Sequence, residues 1–209
     1  MNLIIFGPTG GTGRQLVAQA LEQGHTVTGF ARRPEKFAQQ HEKLQIIKGD
    51  VLDFSSVERA LQGQDAVLCT LGAPATNKKM LRANGTKNII HAMKKTAIRR
   101  LICQSALGCG DSWHLLPFHY KYLIAPVLLR YVYADHECQE NYIKESPIDW
   151  TIVRPATLTN GKHTGCYRQD FGATDQSITF KISRADVADF MLKHLTDDTC
   201  LHKTPSLSY

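Results

Sequence analysis

The chain has 209 residues, 43% of them hydrophobic and 21% charged, with 25 Lys and Arg against 19 Asp and Glu. That is the length and balance of one globular domain, residues 1–209, with a full core; it excludes a disordered or collagen-like chain. The net charge of +6 admits anionic partners, but no basic run or recognised nucleic-acid motif occurs, so nucleic acid is not expected as a partner.

Leu3-Ile4-Ile5-Phe6 reads as a short buried strand. Because it begins almost at once, no signal peptide is expected. Gly7-Pro8-Thr9-Gly10-Gly11-Thr12-Gly13 follows, and then a helix over 13–23 that ends at Gly24. Strand, glycine turn and helix bring a pyrophosphate to a helix N-terminus, where free N–H groups and the helix dipole favour an anion. Gly7 permits the tight turn, Gly10 leaves room for phosphate, and Gly13 lets the helix approach the sheet. A purely structural turn is the alternative; the strand before and the helix after favour a dinucleotide.

The second strand is 26–30. Arg32, Arg33 and Lys36 follow it, with no carboxylate at the strand tip. An acidic residue there would hold the free ribose of NAD, whereas arginine pairs with the 2′-phosphate of NADP. The expected cofactor is therefore NADP(H); the plainer reading is a solvated basic turn with Pro34 opening a short helix. A third strand covers 44–48. Asp50 can then accept from an adenine amino group and Val51 can flank the ring, while Asp53 caps a helix over 55–62. The fourth strand, 65–70, runs into Leu71-Gly72 at the ligand-binding edge of the sheet. A loop over 74–78 leads to a long helix over 79–96.

The fifth strand, 100–103, ends just before Ser105, whose hydroxyl suits a carbonyl or a nicotinamide amide. Cys103 reads as a buried strand thiol. Residues 108–119 form an irregular cover in which Leu107 and Trp113 wall a pocket or simply pack in the core. A helix over 120–145 bends near Pro126. Its first part, 122–132, is the most apolar stretch; it is too short to span a bilayer and is expected to be buried. Without another exposed apolar helix face, a monomer with no membrane contact is expected. The sixth strand, 149–153, leads to Arg154-Pro155-Ala156 at the ligand edge. Loops and short strands over 157–181 precede a final helix with Ser183 as N-cap and Asp186 at its third position. The tail, 197–209, reads as polar.

Six cysteines lie at 69, 103, 109, 138, 166 and 200 without a C-x-x-C pair. They read as free thiols in a reducing cytoplasm, and His114, His119 and His136 are too scattered for a metal site. The alternation of strand and helix implies one Rossmann-like, doubly wound parallel α/β sheet with helices on both faces.

On these residues the chain resembles the short-chain dehydrogenase/reductase superfamily. Within it, the chain is similar to the small atypical branch of the biliverdin reductase B, or flavin reductase, family. The glycine turn is shared by the superfamily. More diagnostic are Gly49 to Leu52, Gly63 to Val67 with Leu71-Gly72, Cys103 to Ala106, Asp135-His136, Asp149-Trp150, Pro155, and Ser183 to Leu195 with the Pro205 to Tyr209 ending. The resemblance implies that Thr9, Gly10, Gly11, Thr12 and Gly13 hold the pyrophosphate of NADPH, and Arg32, Arg33 and Lys36 its 2′-phosphate. It implies Asp50 and Val51 at adenine, and Leu71, Gly72, Ser105, His136 and Pro155 at ribose and nicotinamide.

Two departures limit it. The Tyr-x-x-x-Lys pair that supplies a proton in better-known members is absent, since Asp135 and Glu137 follow Tyr131 and Tyr133 at that spacing. Ala156 stands where the branch often has histidine. The expected activity is hydride transfer to a planar acceptor, a flavin, bilin or quinone, with Ser105 as the catalytic candidate. The rival reading is an NADP(H)-binding sensor or assembly factor without turnover. A nucleotide-sugar epimerase fits less well, because its tyrosine–lysine pair and larger substrate domain are absent.

Overall fold

The computed structural model describes residues 1–175 and 177–209. Its first half comprises β1 (Asn2–Phe6), α1 (Gly11–Glu22), β2 (Thr26–Ala31), β3 (Leu44–Lys48), α2 (Phe54–Ala60), β4 (Ala66–Cys69), α3 (Leu81–Thr96) and β5 (Arg100–Gln104). The second half continues with α4 (Ala125–Leu128), α5 (Arg130–Lys144), β6 (Asp149–Pro155), β7 (Thr157–Thr159), β8 (Arg168–Gln169), β9 (Lys181–Ser183), α6 (Arg184–Lys193) and β10 (Ser206–Ser208).

Side chains alternate across a strand, so β1 serves two cores at once. Leu3 and Ile5 pack with Leu16 and Val17 of α1 and with Phe190 and Met191 of α6. Ile4 and Phe6 face the other way, toward Val57 of α2, Ile89 and Met93 of α3, and Ile143 of α5. All four strand residues are fully buried. Burial of each such side chain contributes roughly 1.5–3 kcal/mol relative to exposure. This explains why the strand reads as a continuous apolar run rather than an alternating one.

The main sheet has the order β3-β2-β1-β4-β5-β6-β10-β8. Every neighbouring pair from β3 to β10 is parallel, and only β8 joins antiparallel. The doubly wound α/β fold expected from the sequence is therefore present. The direction of winding reverses between β1 and β4, which opens a crevice at their C-terminal ends. A separate pair, β7 with β9, lies beyond the main sheet. Among the described residues no helix is long and apolar enough to cross a membrane, all six cysteines are free, and no cluster of potential metal ligands occurs.

Three expectations need correction. The tail is not simply a polar end: β10 pairs with β6, Leu207 is fully buried, and Tyr209 lends its hydroxyl to Asp186. A Ser-Leu-Ser strand carries only one apolar residue, so its pairing comes from the neighbour and not from local pattern. The helix over 120–145 is three pieces. A π-helical turn, Tyr120–Ile124, precedes α4, and the chain breaks at Leu129 before α5. Pro126 has no N–H to continue the ladder, and the widened turn before it relieves the clash of its ring with the preceding turn. Finally, Tyr122, Leu123, Val127 and Leu128 are exposed, not buried. One side of this segment already covers a cavity and buries Ala125, which leaves the other apolar side without a core to enter. The premise behind the monomer expectation, that no apolar helix face is exposed, therefore fails.

Candidate functional site

The site begins where β1 turns into α1. Gly7 has φ +88, and a Cβ there would fall 2.5 Å from the Thr70 carbonyl oxygen. A Cβ on Gly13 would fall 2.1 Å from the Gly7 carbonyl oxygen. Both positions admit only glycine, the first for its left-handed backbone and close approach, the second for packing. At Gly10, the N-cap of α1, no side chain caps the helix, and no acidic residue lies in its first turn. The first amide groups of a twelve-residue helix are thus left for an anion.

A cavity of about 410 Å³ extends from this turn to the end of β2. Arg14, Arg32, Arg33 and Lys36 line it, and no described carboxylate does. Arg14 donates to the Lys36 carbonyl at 2.6 Å and to the Thr9 carbonyl at 3.1 Å, tying the basic turn to the glycine turn. Thr9 and Gly10 stand at one end, Gly49 and Val51 at the other. Asp50 lies between these last two, but its carboxylate accepts from the Leu52 amide at 3.0 Å within the turn before α2.

Thr70, Leu71, Gly72 and Gly10 also line a second cavity of about 670 Å³, so the two form one groove across the strand crevice. Gly11, Thr12, Ser105, Leu107, His136 and Pro155 line this larger part. Its cover comes from Leu116, Pro117, His119, Tyr120 and Leu129. Trp113 is not on the wall. It stands behind Tyr133, meeting that ring edge-on at 5.8 Å between centroids. The Tyr133 hydroxyl donates to the Leu107 carbonyl at 3.1 Å, and burial raises its pKa. It is therefore no substitute for the absent catalytic tyrosine.

Ser105 is almost fully buried, and its hydroxyl reaches Glu140 Oε1 at 2.7 Å. Arg154, fully buried under the sheet edge, donates from Nε to Oε1 at 2.9 Å and from Nη2 to Oε2 at 2.6 Å. Lys144 adds a contact to Oε2 at 3.1 Å. Burial by itself would raise the Glu140 pKa, but the hydrogen bonds and charge of Arg154 outweigh it and hold the carboxyl below its ordinary value. An ionised carboxylate only accepts, so Ser105 must donate its one proton to Glu140. Toward any other partner the hydroxyl can then only accept, and the residue is on the cavity lining.

Burial, with Arg82 nearby, lowers the His136 pKa to about 4. The ring is neutral at pH 7. Gln139 donates from Nε2 to Thr86 at 2.8 Å, so its oxygen faces His136 Nδ1 at 3.1 Å. Nδ1 therefore carries the proton, and Nε2 is left as an acceptor.

Two buried polar atoms on cavity residues, Gln104 Oε1 and Arg82 Nε, have no protein partner. Unsatisfied buried groups are costly unless a ligand meets them. Gln64 Oε1 and Arg100 Nε, outside the groove, are unpaired in the same way, so it is the uncapped helix and the carboxylate-free basic end that fit a bound dinucleotide.

Sequence reasoning did not assign Glu140, Arg14, Arg82, Gln104 or Tyr133 to the site. For Arg154 the sequence indicates only a place at the ligand edge of its strand. The unpaired polarity of Gln104, at the end of an apolar strand run, was the one signal available beforehand.

A family model described as NAD(P)H-binding matches residues 7–198. The photosystem II assembly factor Ycf39 of Synechocystis is 27% identical over 98% of this chain and 61% of its own length. A Mycobacterium tuberculosis protein is matched over only 14% of its length, so the chain spans less than two thirds of these curated relatives. Among solved structures, a short-chain dehydrogenase/reductase from Veillonella parvula in complex with NADP superposes with a TM-score of 0.83 at 21% identity, covering 100% of this chain and 94% of that one. ChuY, described as an anaerobillin reductase from Escherichia coli O157:H7, gives a TM-score of 0.79 at 25% identity over 99% and 96%. With an uncapped glycine turn, a groove at the strand crossover and a family match over nearly its whole length, the chain belongs to the NAD(P)H-binding family and has a Rossmann-type fold.

Proposed function

We propose that this protein is an NADPH-dependent reductase of planar conjugated acceptors, with flavins first and linear tetrapyrroles or quinones next. The observation that carries the reading is the groove itself. One end has four cations, Arg14, Arg32, Arg33 and Lys36, and no described carboxylate; the other is broad and walled by Leu107, Leu116, Tyr120 and Leu129. The first end suits a 2′-phosphate, and the second suits a flat apolar ring. NADPH, when bound, supplies the hydride.

The chain's residues orient and shield. Ser105 and the His136 ring offer acceptor atoms, which suit the carboxamide N–H of a nicotinamide or the N–H groups of a flavin or bilin. The segment over 116–129 limits water. No carboxylate lines the cavity among the described residues; the proton donors on its lining are Tyr120, His119 and Lys181. An acceptor whose reduction needs little protein acid, as at a flavin N5, suits the missing Tyr-x-x-x-Lys pair. The likeness to ChuY lends support to the reductase class. We take the protein to act in the cytoplasm.

Purified protein with NADPH and a panel of FMN, FAD, riboflavin, biliverdin and a quinone tests this. Accelerated NADPH oxidation with one of them is expected. If NADPH binds and none is reduced, the reading fails.

A second reading is an NADP(H)-binding sensor or assembly factor. It draws on the same tied polar groups: Ser105 held by Glu140, His136 neutral, and Tyr133 spent on a carbonyl. The likeness to an assembly factor favours it as well. Tight binding with no turnover across the panel distinguishes it.

A further inference from the structure

The cover of the larger cavity has two faces. Tyr120 and Leu129 line the cavity, and Ala125 is buried. The outer face carries Phe118, Tyr122, Leu123, Val127 and Leu128, exposed to 79%, 64%, 68%, 67% and 65%. The Phe118 and Tyr122 rings meet at a tilt with 4.8 Å between centroids, one helical turn apart, and Val127 follows Leu123 at the same spacing. This is the concentration of large exposed apolar side chains in the protein's described surface, and such a patch marks a contact surface.

Along the segment itself the charge is of one sign. No Asp or Glu occurs between Asp111 and Asp135, whereas Lys121 and Arg130 do, with His114 and His119. Lys78, from the loop before α3, joins Arg130 around the Tyr131 ring at 5.2 and 4.5 Å. Lys121 is anchored to the His114 carbonyl at 3.2 Å. The whole chain carries a net charge of +6.

We infer that this face docks on an anionic lipid surface, with the apolar row in the headgroup boundary and the cations at its rim. An aromatic and aliphatic face beside basic residues is the chemistry of an interfacial segment that lies in the membrane plane. The segment is too short to cross, in keeping with the absence of a membrane-crossing helix among the described residues. A second copy of this chain is a poorer occupant, because two rims of lysine and arginine would oppose each other without carboxylates between them. The inference is independent of which acceptor the cavity takes.

The test is flotation of the full-length chain with vesicles of phosphatidylcholine alone, or with about a third phosphatidylglycerol. Recovery with the anionic vesicles should exceed that with neutral ones by about tenfold and fall as salt rises. A Leu123→Asp/Val127→Asp variant should lose flotation while its thermal transition and NADPH affinity match the parent. Lys121→Gln/Arg130→Gln should lose most of the salt dependence. Absence of flotation on anionic vesicles overturns the inference. So does a dimer in light scattering that the Leu123→Asp/Val127→Asp variant dissociates, because a second copy then covers the face.

Discussion

Ser105 donates its hydroxyl proton to Glu140 Oε1 at 2.7 Å, and Arg154 holds that same oxygen from the other side at 2.9 Å. With its proton committed, the serine, a residue of the cavity lining, can only accept from a ligand. Ser105→Ala should lower kcat/KM roughly tenfold, the value of one neutral hydrogen bond to the ligand, and folding stability by about 1.5–3 kcal/mol, the value of its buried bond to the ionised Glu140. Glu140→Gln should act differently. It leaves the buried Arg154 with only the exposed Asp111 carboxylate as counter-charge, and removing one partner of a buried pair costs up to about 3–5 kcal/mol. Denaturant unfolding of both variants beside steady-state kinetics separates the two effects. If Ser105→Ala leaves kcat/KM unchanged, the serine is structural only.

The cations at the end of β2 set cofactor choice. Arg32 and Lys36 both line the smaller cavity. Charge-assisted bonds to a phosphate are worth about 1.5–3 kcal/mol each, so replacing both by alanine should weaken NADPH by roughly a hundredfold or more. NADH lacks the 2′-phosphate and should lose little. Fluorescence titration with the two nucleotides measures the ratio directly; equal losses would remove the assignment.

His136 makes stability depend on acid. Its pKa falls from the ordinary 6.5 to about 4 in the folded chain, chiefly through burial. Above pH 6.5 the ring is neutral in both states and contributes no pH dependence. Between about 6.5 and 4 the unfolded chain takes up a proton that the folded chain refuses, so stability falls with pH. Below about 4 both states are charged and the contribution levels off. His136→Gln should therefore flatten the acid limb of stability in that window, measured as urea midpoint against pH. An unchanged slope would show that other groups carry it.

What the sequence made legible follows from distance along the chain. Gly7, Gly10, Gly13 and the basic turn at Arg32 act through local geometry, and their spacing within one strand–helix–strand unit already states it. The parallel, doubly wound sheet follows from the alternation of strand and helix patterns; its strand order, with β10 from the tail inside it, does not. Ser105 and Glu140 are 35 positions apart. They meet only because α5 packs beside the end of β5, and no spacing rule connects a helix-face carboxylate to a loop hydroxyl. The apolar stretch 122–132 differs from its expectation for a related reason. Its composition is that of a buried helix, but whether a helix has a core on both sides is decided by the rest of the fold. Trp113 likewise belongs to the right region, yet the layer it occupies depends on where Tyr133 stands.

The glycine turn offers the cleanest separation of folding from binding. Gly13 cannot gain a methyl group without meeting the Gly7 carbonyl oxygen at 2.1 Å, with the Gly7 carbon and Pro8 Cα at 2.9 Å. These are backbone atoms, which cannot turn aside. Gly13→Ala should therefore destabilise the whole fold, on the scale of the 1–3 kcal/mol or more seen for overpacking. Gly10 differs. Its φ of −73 is open to any residue, and the nearest atom to an added Cβ is the Gly7 carbonyl oxygen at 3.4 Å. Gly10→Ala should melt close to the parent. Its methyl group, however, stands at the N-cap of α1, where the pyrophosphate must come close to free amides. NADPH affinity should drop by about tenfold or more, corresponding to the loss of a charge-assisted hydrogen bond. Calorimetry and nucleotide titration on the pair decide it. A Gly10→Ala protein that melts normally and still binds NADPH as tightly as the parent would move the phosphates away from this turn.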